Sequence, residues 1–396
     1  MTEAAEPFQV RIAESELADL RRRLEAARWP EDFANGQWEY GTNRAYLEEL
    51  VTYWRDRYDW RAAEAALNAL PQFRVSLDGV PLHFVHRKGI GIPGGRRPLP
   101  LILSHGWPWT FWDFAKVIGP LSDPAAHGGD PADAFEVIVP SLPGFAFSSP
   151  LTKPGVDAVA TADLFHRLMT EVLGHPRYGA HGGDWGAFIT AQLGHKYPGQ
   201  VIGIHLLGGA PLDFFTQPLP TASDYAADEA GWHAKTTRFF ATESGYSALQ
   251  STKPQTLAYA MSDSPIGLAA WLLEKRRDWS DCGGDVERRF SKDELLTQIM
   301  LVWLTRTLGS SARFYAEGRL HPWQPSHDRQ PIVEVPTGIL KLEADVVHWP
   351  RKIMERAYPV QRWTRTDEGG HFAPAEVPAT VVHELREFFR PLRAAI

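Results

Sequence analysis

The sequence predicts an α/β protein with a doubly wound, mostly parallel sheet, a helical lid insertion and an N-terminal helical extension. Short, continuously apolar runs, typical of strands buried on both faces of a parallel sheet, alternate with helical patterns. These runs are residues 101–104 and 135–139, and further strand patterns are residues 201–207, 336–342 and 360–364. The pattern implies four segments: an N-terminal region with two helices and a first hairpin (1–95), a first half of the core (96–210), a helical lid (211–322) and a second half of the core (323–396).

The N-terminal region shows two helical patterns followed by a hairpin signal. The first helix carries Leu17, Leu20 and Leu24 on one face. The second begins at Thr42 or Asn43, either of which can cap it. Residues 73–77 and 80–85 alternate in polarity around Asp78-Gly79, which is a strong signal for a tight β-turn. The sheet is therefore expected to begin with antiparallel strands.

Composition excludes several classes of partner. Lys and Arg number 41 and Asp and Glu number 48, so the net charge is 41 − 48 = −7, and neither sign forms a block. This argues against nucleic acid or an anionic membrane as the main partner. The single cysteine, Cys282, excludes an internal disulfide. With one cysteine, a reducing cytoplasm is the expected location, and a monomer and a homodimer are both reasonable. No apolar run approaches the roughly 18 residues of a membrane span, so no span is expected.

A glycine-crowded turn supplies the candidate nucleophile. Gly182, Asp184 and Gly186 follow a short strand pattern and lead into a helical stretch. A sharp strand-to-helix turn needs small residues two positions either side of its central residue. The frame Gly182-x-Asp184-x-Gly186 meets this need and is similar to the nucleophile elbow of α/β-hydrolases, with aspartate in the serine position. A simpler alternative is that Asp184 only caps the helix.

Two later residues complete a catalytic triad in the order expected for an α/β-hydrolase. Asp345 follows a late strand, and His371 lies in a loop after the last strand. Glu343 is a rival for the acid, but Asp345 is preferred because Glu343 is expected to lie within the strand. The backbone N–H of Trp185, the residue after the nucleophile, is a candidate donor for the oxyanion hole.

An aspartate nucleophile restricts the chemistry. Serine would form an ether on opening an epoxide or displacing a halide, whereas aspartate forms an alkyl ester whose carbonyl carbon water can attack. Asp184 therefore indicates cleavage of a C–O or C–halogen bond. His371, oriented by Asp345, would activate the water.

Several motifs resemble those of the microsomal-type epoxide hydrolases. Ser104-His105-Gly106-Trp107-Pro108 is similar to that family's His-Gly-x-Pro loop, and further similar segments are residues 8–12, 28–30, 243–246, 252–256, 263–271, 313–317 and 335–338. The resemblance covers nearly the whole chain. It implies that Trp107 supplies a second oxyanion N–H and that the lid residues Tyr246 and Tyr315 donate to the epoxide oxygen.

The implied function is hydrolysis of a small apolar epoxide to a vicinal diol through a covalent aspartyl ester. The resemblance implies no cofactor and no metal. Because the chain lacks the membrane anchor with which the animal microsomal members begin, we expect a soluble form. A haloalkane-type dehalogenase, with halide held by the Trp185 indole, and a non-catalytic small-molecule receptor remain alternatives. A metal site is not expected, because His83 and His86 alternate to opposite faces of a strand and no His-Glu-x-x-His motif occurs.

Overall fold

A nine-stranded sheet forms the centre of the protein in the computed structural model, which describes residues 4–395. The strands are β1 (Glu6–Phe8), β2 (Gln72–Leu77), β3 (Val80–Arg87), β4 (Leu99–Ser104), β5 (Phe135–Pro140), β6 (Tyr178–Gly183), β7 (Val201–Leu207), β8 (Thr337–Leu342) and β9 (Val360–Thr366). Their order in the sheet is β1-β2-β3-β5-β4-β6-β7-β8-β9. Strands β1, β2 and β3 are antiparallel to their neighbours. The six strands β4 to β9 pair with one another in parallel. The predicted fold class is confirmed.

Helices cover both faces of this sheet and form the insertion above it. They are α1 (Glu14–Glu25), α2 (Arg44–Asp56), α3 (Trp60–Asn68), α4 (Ala115–Ser122), α5 (Ala158–Arg167), α6 (Trp185–Lys196), α7 (Ala230–Thr242), α8 (Gly245–Thr252), α9 (Pro254–Asp263), α10 (Pro265–Asp278), α11 (Lys292–Thr305), α12 (Leu308–Leu320), α13 (Arg351–Ala357), α14 (Ala373–Glu376) and α15 (Pro378–Phe389). No helix in the described range 4–395 is both long enough and apolar enough to cross a membrane.

The N-terminal region departs from the prediction of two helices, because it contains three. The additional helix α3 is capped by the side chain of Asp59, which accepts a hydrogen bond from the N–H of Arg61. Trp60 and Leu67, seven positions apart, are the buried residues of α3 and lie on one face, so a short helical period is present in this stretch. Strand β1 was also missed, since three residues are too few to show alternation. The predicted cap Asn43 and the hairpin are confirmed.

The insertion between β7 and β8 is helical, and helices α7 to α12 lie within it. Helix α11 ends at Thr305, Arg306 adopts a left-handed backbone conformation with φ of 56°, and α12 begins at Leu308. This break turns α12 so that it packs against α8 and α9.

Candidate active site

The elbow places Asp184 between β6 and α6 in a strained backbone conformation, with φ of 52° and ψ of −129°. The flanking glycines are required by close contacts. A Cβ on Gly182 would lie 2.2 Å from the carbonyl oxygen of Gly186, and a Cβ on Gly186 would lie 1.9 Å from that of Ser104. Such strain costs about 1–3 kcal/mol and persists only where the surrounding structure enforces it. The geometry of this turn therefore requires glycine at positions 182 and 186.

The two carboxylate oxygens of Asp184 have different surroundings. The backbone N–H of Trp107 donates a hydrogen bond of 2.8 Å to Oδ1. Oδ2 lies 3.4 Å from Nε2 of His371. Gly106 lies so close that a Cβ there would be 2.2 Å from Oδ1. Trp185 is the first residue of α6, where backbone N–H groups have no partner within the helix.

His371 lies between two carboxylates. Its Nδ1–H donates a hydrogen bond of 2.9 Å to Oδ1 of Asp345. The backbone N–H of Val346 donates to the same oxygen at 2.8 Å. The loop that carries His371 is held to the lid, since the N–H of His371 donates to the carbonyl oxygen of Trp279 at 2.8 Å.

The rival acid, Glu343, faces away from His371. Its carboxylate accepts hydrogen bonds of 2.9 Å from Arg365 and from the indole N–H of Trp232. Strand β8 ends at Leu342, so Glu343 is the first residue after the strand rather than within it. The structure thus brings Asp345 to the histidine, but the stated reason for excluding Glu343 was wrong.

The two neighbouring carboxylates determine the charge of His371. Burial alone would lower the pKa of the imidazole, but the negative charges of Asp345 and Asp184 outweigh burial and raise the pKa to about 10. For Asp345, burial alone would raise the pKa, but the adjacent His371 holds it at about 2. The resting site therefore contains an imidazolium between two carboxylates.

Two lid tyrosines lie above the nucleophile. Tyr246 on α8 stacks on the Trp107 ring at 5.0 Å between centroids, and Tyr315 on α12 meets that ring edge-on at 5.9 Å. Burial is the main cause that raises the pKa of both phenols well above 10, and the charge of Asp184 raises them further. Both are therefore hydrogen-bond donors at neutral pH. The hydroxyl of Tyr315 is buried and has no hydrogen-bond partner within residues 4–395.

A cavity of about 510 Å³ connects these groups. Its floor is formed by Asp184, Asp345 and His371, and both tyrosines contribute to its walls. Further aromatic side chains in the wall are Phe214, Phe215, Phe239, Phe240, Trp279 and Trp349. Such a lining suits an apolar small molecule.

Glu376 is a supporting residue that sequence reasoning missed. Its carboxylate accepts backbone N–H bonds from Gly370 at 3.0 Å, Phe372 at 2.8 Å and Asp281 at 2.7 Å. The first two donors flank His371, and the third belongs to the lid. Glu376 thus fixes the histidine loop against the lid. No local sequence pattern distinguishes such a glutamate from one exposed to solvent.

Comparison with known proteins finds matches to epoxide hydrolases and to the α/β-hydrolase fold. Residues 5–114 match the family model described as "Epoxide hydrolase N terminus", and residues 100–303 match "alpha/beta hydrolase fold". Epoxide hydrolase 1 of Sus scrofa is 37% identical over 403 residues, covering 98% of this chain and 88% of that protein. A protein from Stigmatella aurantiaca, also named as an epoxide hydrolase, is 44% identical over 389 residues, covering 98% of this chain and 85% of that protein.

A solved structure of a relative shares the whole fold. The juvenile hormone epoxide hydrolase of Bombyx mori superposes with a TM-score of 0.86 at 28% identity, covering 100% of this chain and 96% of the other. The N-terminal region and the core therefore match the same group of enzymes in sequence and in structure. The chain belongs to the epoxide hydrolases of the α/β-hydrolase superfamily.

Proposed function

We propose that the enzyme converts an apolar epoxide and water into a vicinal diol through a covalent ester on Asp184. One observation carries the proposal: the Asp184 carboxylate has Oδ1 bound to the N–H of Trp107 and Oδ2 facing His371, beneath two phenols. A carboxylate in this setting can form an ester, and the site also holds a base able to direct water at that ester.

In the first step, Oδ2 of Asp184 attacks one epoxide carbon and the C–O bond to the ring oxygen breaks. The ring oxygen would become an alkoxide unless it is hydrogen-bonded and protonated as it forms. Tyr246 and Tyr315 are the donors proposed for this task, and one of them transfers its proton. Because the tyrosines lie on the lid and Asp184 on the sheet, the substrate can be attacked from the side opposite the departing oxygen.

Before the second step, the resting imidazolium gives its proton to the phenolate left by the first step, which restores the tyrosine and leaves His371 neutral. Neutral His371 then takes a proton from water, and the water oxygen attacks the carboxyl carbon of the ester. Negative charge develops on Oδ1, the oxygen that already accepts the Trp107 N–H, and the N–H of Trp185 is the proposed second donor. Collapse of this tetrahedral state breaks the bond between the carboxyl carbon and Oδ2, and the proton left on the attacking oxygen passes to the departing diol oxygen. The diol is released, the Asp184 carboxylate is restored, and His371 is again the resting imidazolium.

An isotope experiment tests the covalent step. After one turnover in ¹⁸O-water, the label is expected in the Asp184 carboxylate, because water attacks the carboxyl carbon and the product receives an oxygen from the enzyme. Mass spectrometry of the elbow peptide measures it. The His371→Gln variant should accumulate the ester, since hydrolysis needs the base. Label in the diol alone after a single turnover would show direct attack of water on the ring.

The role of the phenols is tested by removing their hydroxyl groups. Tyr246→Phe and Tyr315→Phe keep the ring packing, and each is expected to slow alkylation of Asp184 about 10²-fold, with a larger loss in the double variant. Rapid-quench measurement of ester formation with a styrene-oxide-like substrate gives these rates. A folded double variant that alkylates at the wild-type rate would remove the phenols from the mechanism. A haloalkane panel serves as a further control, because halide release without diol formation would favour a dehalogenase.

A small apolar epoxide as substrate, a cytoplasmic location, and a monomer or homodimer as the oligomeric state are predictions from the sequence. The aromatic cavity supports a small apolar epoxide as the substrate class.

A further inference from the structure

Two imidazoles and a carboxylate converge at the edge of the sheet where the parallel strands begin. His86 lies near the end of β3, Glu136 is the second residue of β5, and His175 lies in the loop before β6. One possible ligand atom from each side chain lies within 4.8 Å of the other two. Sequence reasoning considered His86 only with its strand neighbour His83, and it did not connect His86 with either of these partners.

We propose that His86, Glu136 and His175 bind one divalent transition-metal ion, with Zn²⁺ the best fit. Two imidazole nitrogens and one carboxylate oxygen are ligands that Zn²⁺ accepts, with a fourth position open to water. The three residues come from three separate segments that are adjacent only in the folded protein. A metal at this position would therefore bind the native fold and not the unfolded chain.

The distances lie within reach of metal coordination. In a tetrahedral zinc site with bonds of about 2.0–2.2 Å, neighbouring ligand atoms are about 3.3–3.5 Å apart. Nε2 of His175 lies 3.5 Å from Oε1 of Glu136, which already matches this spacing. Nε2 of His86 donates to the same oxygen at 2.6 Å, so this pair must open by less than an ångström. A small rotation of the His86 ring provides that movement.

The state of His175 is the second observation that favours a ligand. Its Nε2 is buried, and its contact with Oε1 of Glu136 is long, at 3.5 Å. A buried imidazole nitrogen with only such a long contact is poorly satisfied, and a metal ion would satisfy it. The three side chains are only 12% (His86), 14% (Glu136) and 15% (His175) exposed, so bulk water competes weakly for the position.

A neighbouring lysine distinguishes a metal site from a simple ion-pair cluster. Nζ of Lys88 lies 3.6 Å from Oε1 of Glu136, and the Lys88 side chain is 82% exposed. In a metal site this ammonium competes with the metal for Glu136, and it can move into solvent when the metal binds. Removing its charge should therefore tighten metal binding. In an ion-pair cluster, Lys88 would only support the carboxylate.

The proposed role of the metal is structural. Asp184 follows the far end of β6, and six strand residues at about 3.3 Å each separate the two sites by about 20 Å. The metal would link β3 and β5 to the segment that enters β6. It is expected to raise the melting temperature and to leave epoxide turnover unchanged.

The experiment uses untagged full-length protein freed of metal with EDTA. Titration with Zn²⁺ by calorimetry, and with Co²⁺ by visible absorption, measures stoichiometry and affinity. One ion per chain is expected, with binding weakened at least about tenfold in His86→Asn and in His175→Asn, since each removes one ligand. His383→Asn, which removes an exposed histidine on α15, is the matched control and should bind like wild type.

Lys88→Gln tests the same site without removing a ligand, and it should bind Zn²⁺ more tightly than wild type. The Lys88 side chain is 82% exposed, so the substitution leaves the packing of the fold intact, and circular dichroism and diol formation verify the fold of every variant. The proposal is overturned if wild type binds no ion at micromolar Zn²⁺. It is also overturned if His175→Asn retains wild-type affinity, because binding would then involve other side chains.

Discussion

The charge of Asp184 should control the basicity of His371. In the resting enzyme, Asp345 and Asp184 raise the pKa of His371 to about 10, so His371 is an imidazolium. In the proposed mechanism, alkylation would convert Asp184 into a neutral ester and remove one of the two charges that favour the imidazolium. The pKa of His371 would then fall, and the first step would create the base that hydrolysis requires. Asp184→Asn imitates the neutral ester and makes this change measurable.

The size of the change follows from the geometry. Nε2 of His371 and Oδ2 of Asp184 are 3.4 Å apart, and at an effective dielectric constant of about 20 this distance corresponds to about 5 kcal/mol. Both charges are delocalised over two atoms, so the effective separation is longer and the energy is about 3 kcal/mol. At 1.36 kcal/mol per unit, the pKa is expected to fall by about 2 units, from about 10 to about 8.

Nuclear magnetic resonance of ¹⁵N-histidine-labelled protein can follow this titration. The chain has 15 histidines, and the His371 signal is assigned by its loss in His371→Gln. Intact-mass measurement verifies that the new amide of Asp184→Asn is not hydrolysed. A matched control is Asp263→Asn, which removes the same charge from an exposed lid position where water screens it. The control should leave the pKa of His371 unchanged.

Kinetics provide a second measure of the same effect. In wild type, the rate of ester hydrolysis should rise with pH and level off above about pH 8, because only neutral imidazole accepts a proton from water. A pKa in Asp184→Asn within half a unit of the wild-type value would refute the coupling. Ester hydrolysis that continues to rise up to about pH 10 would refute it as well.

Three further predictions concern the supporting structure. Asp345→Asn should slow ester hydrolysis about 10³- to 10⁴-fold in single-turnover assays, whereas Glu343→Gln should have little effect because Glu343 does not contact His371. Glu376→Ala should reduce the free energy of unfolding in urea by about 1–3 kcal/mol and slow hydrolysis, and Glu376→Gln, which keeps an acceptor oxygen, should lose less. Gly186→Ala should reduce the free energy of unfolding by about 3 kcal/mol or more in the same measurement, because its Cβ would lie 1.9 Å from a carbonyl oxygen.

The parts of the fold that the sequence predicts correctly depend on local signals. A two-residue hairpin turn requires positive φ at both central residues, and Asp78 and Gly79 both have positive φ. The apolar runs become strands because a doubly covered sheet buries every position, as in β4 and β7. Strand β1 was missed because three residues are too few to establish a period, whereas the short apolar stripe of α3 was a usable signal.

The site residues likewise divide into those that have a local sequence signal and those that have none. The glycines around Asp184 were recognisable because backbone crowding at one turn restricts neighbouring positions in the sequence. The partners of Glu136 and Glu376 were not recognisable, because their contacts join distant segments. His86 and Glu136 are 50 positions apart, and Glu376 and Asp281 are 95 apart. Such pairs are set by the packing of strands and lid and leave no trace in a single local pattern.

The division of the site between sheet and lid has a mechanistic consequence. Asp184 and Asp345 follow strands of the sheet, whereas Tyr246 and Tyr315 belong to lid helices. The His371 loop is attached to both, because it follows β9 and is bound to the end of the lid segment around α10.

Arg276 on α10 strengthens this attachment. Its guanidinium lies 3.8 Å from the ring centroid of Phe372, the residue after His371, and it forms a buried ion pair of 2.7 Å with Asp113. A displacement of α10 would therefore move the base. Since the tyrosines are carried by the same insertion, the proposed mechanism predicts that the position of the lid affects both proton donation in the first step and activation of water in the second. On this proposal, the lid would contribute to both steps, while the sheet holds Asp184 in place.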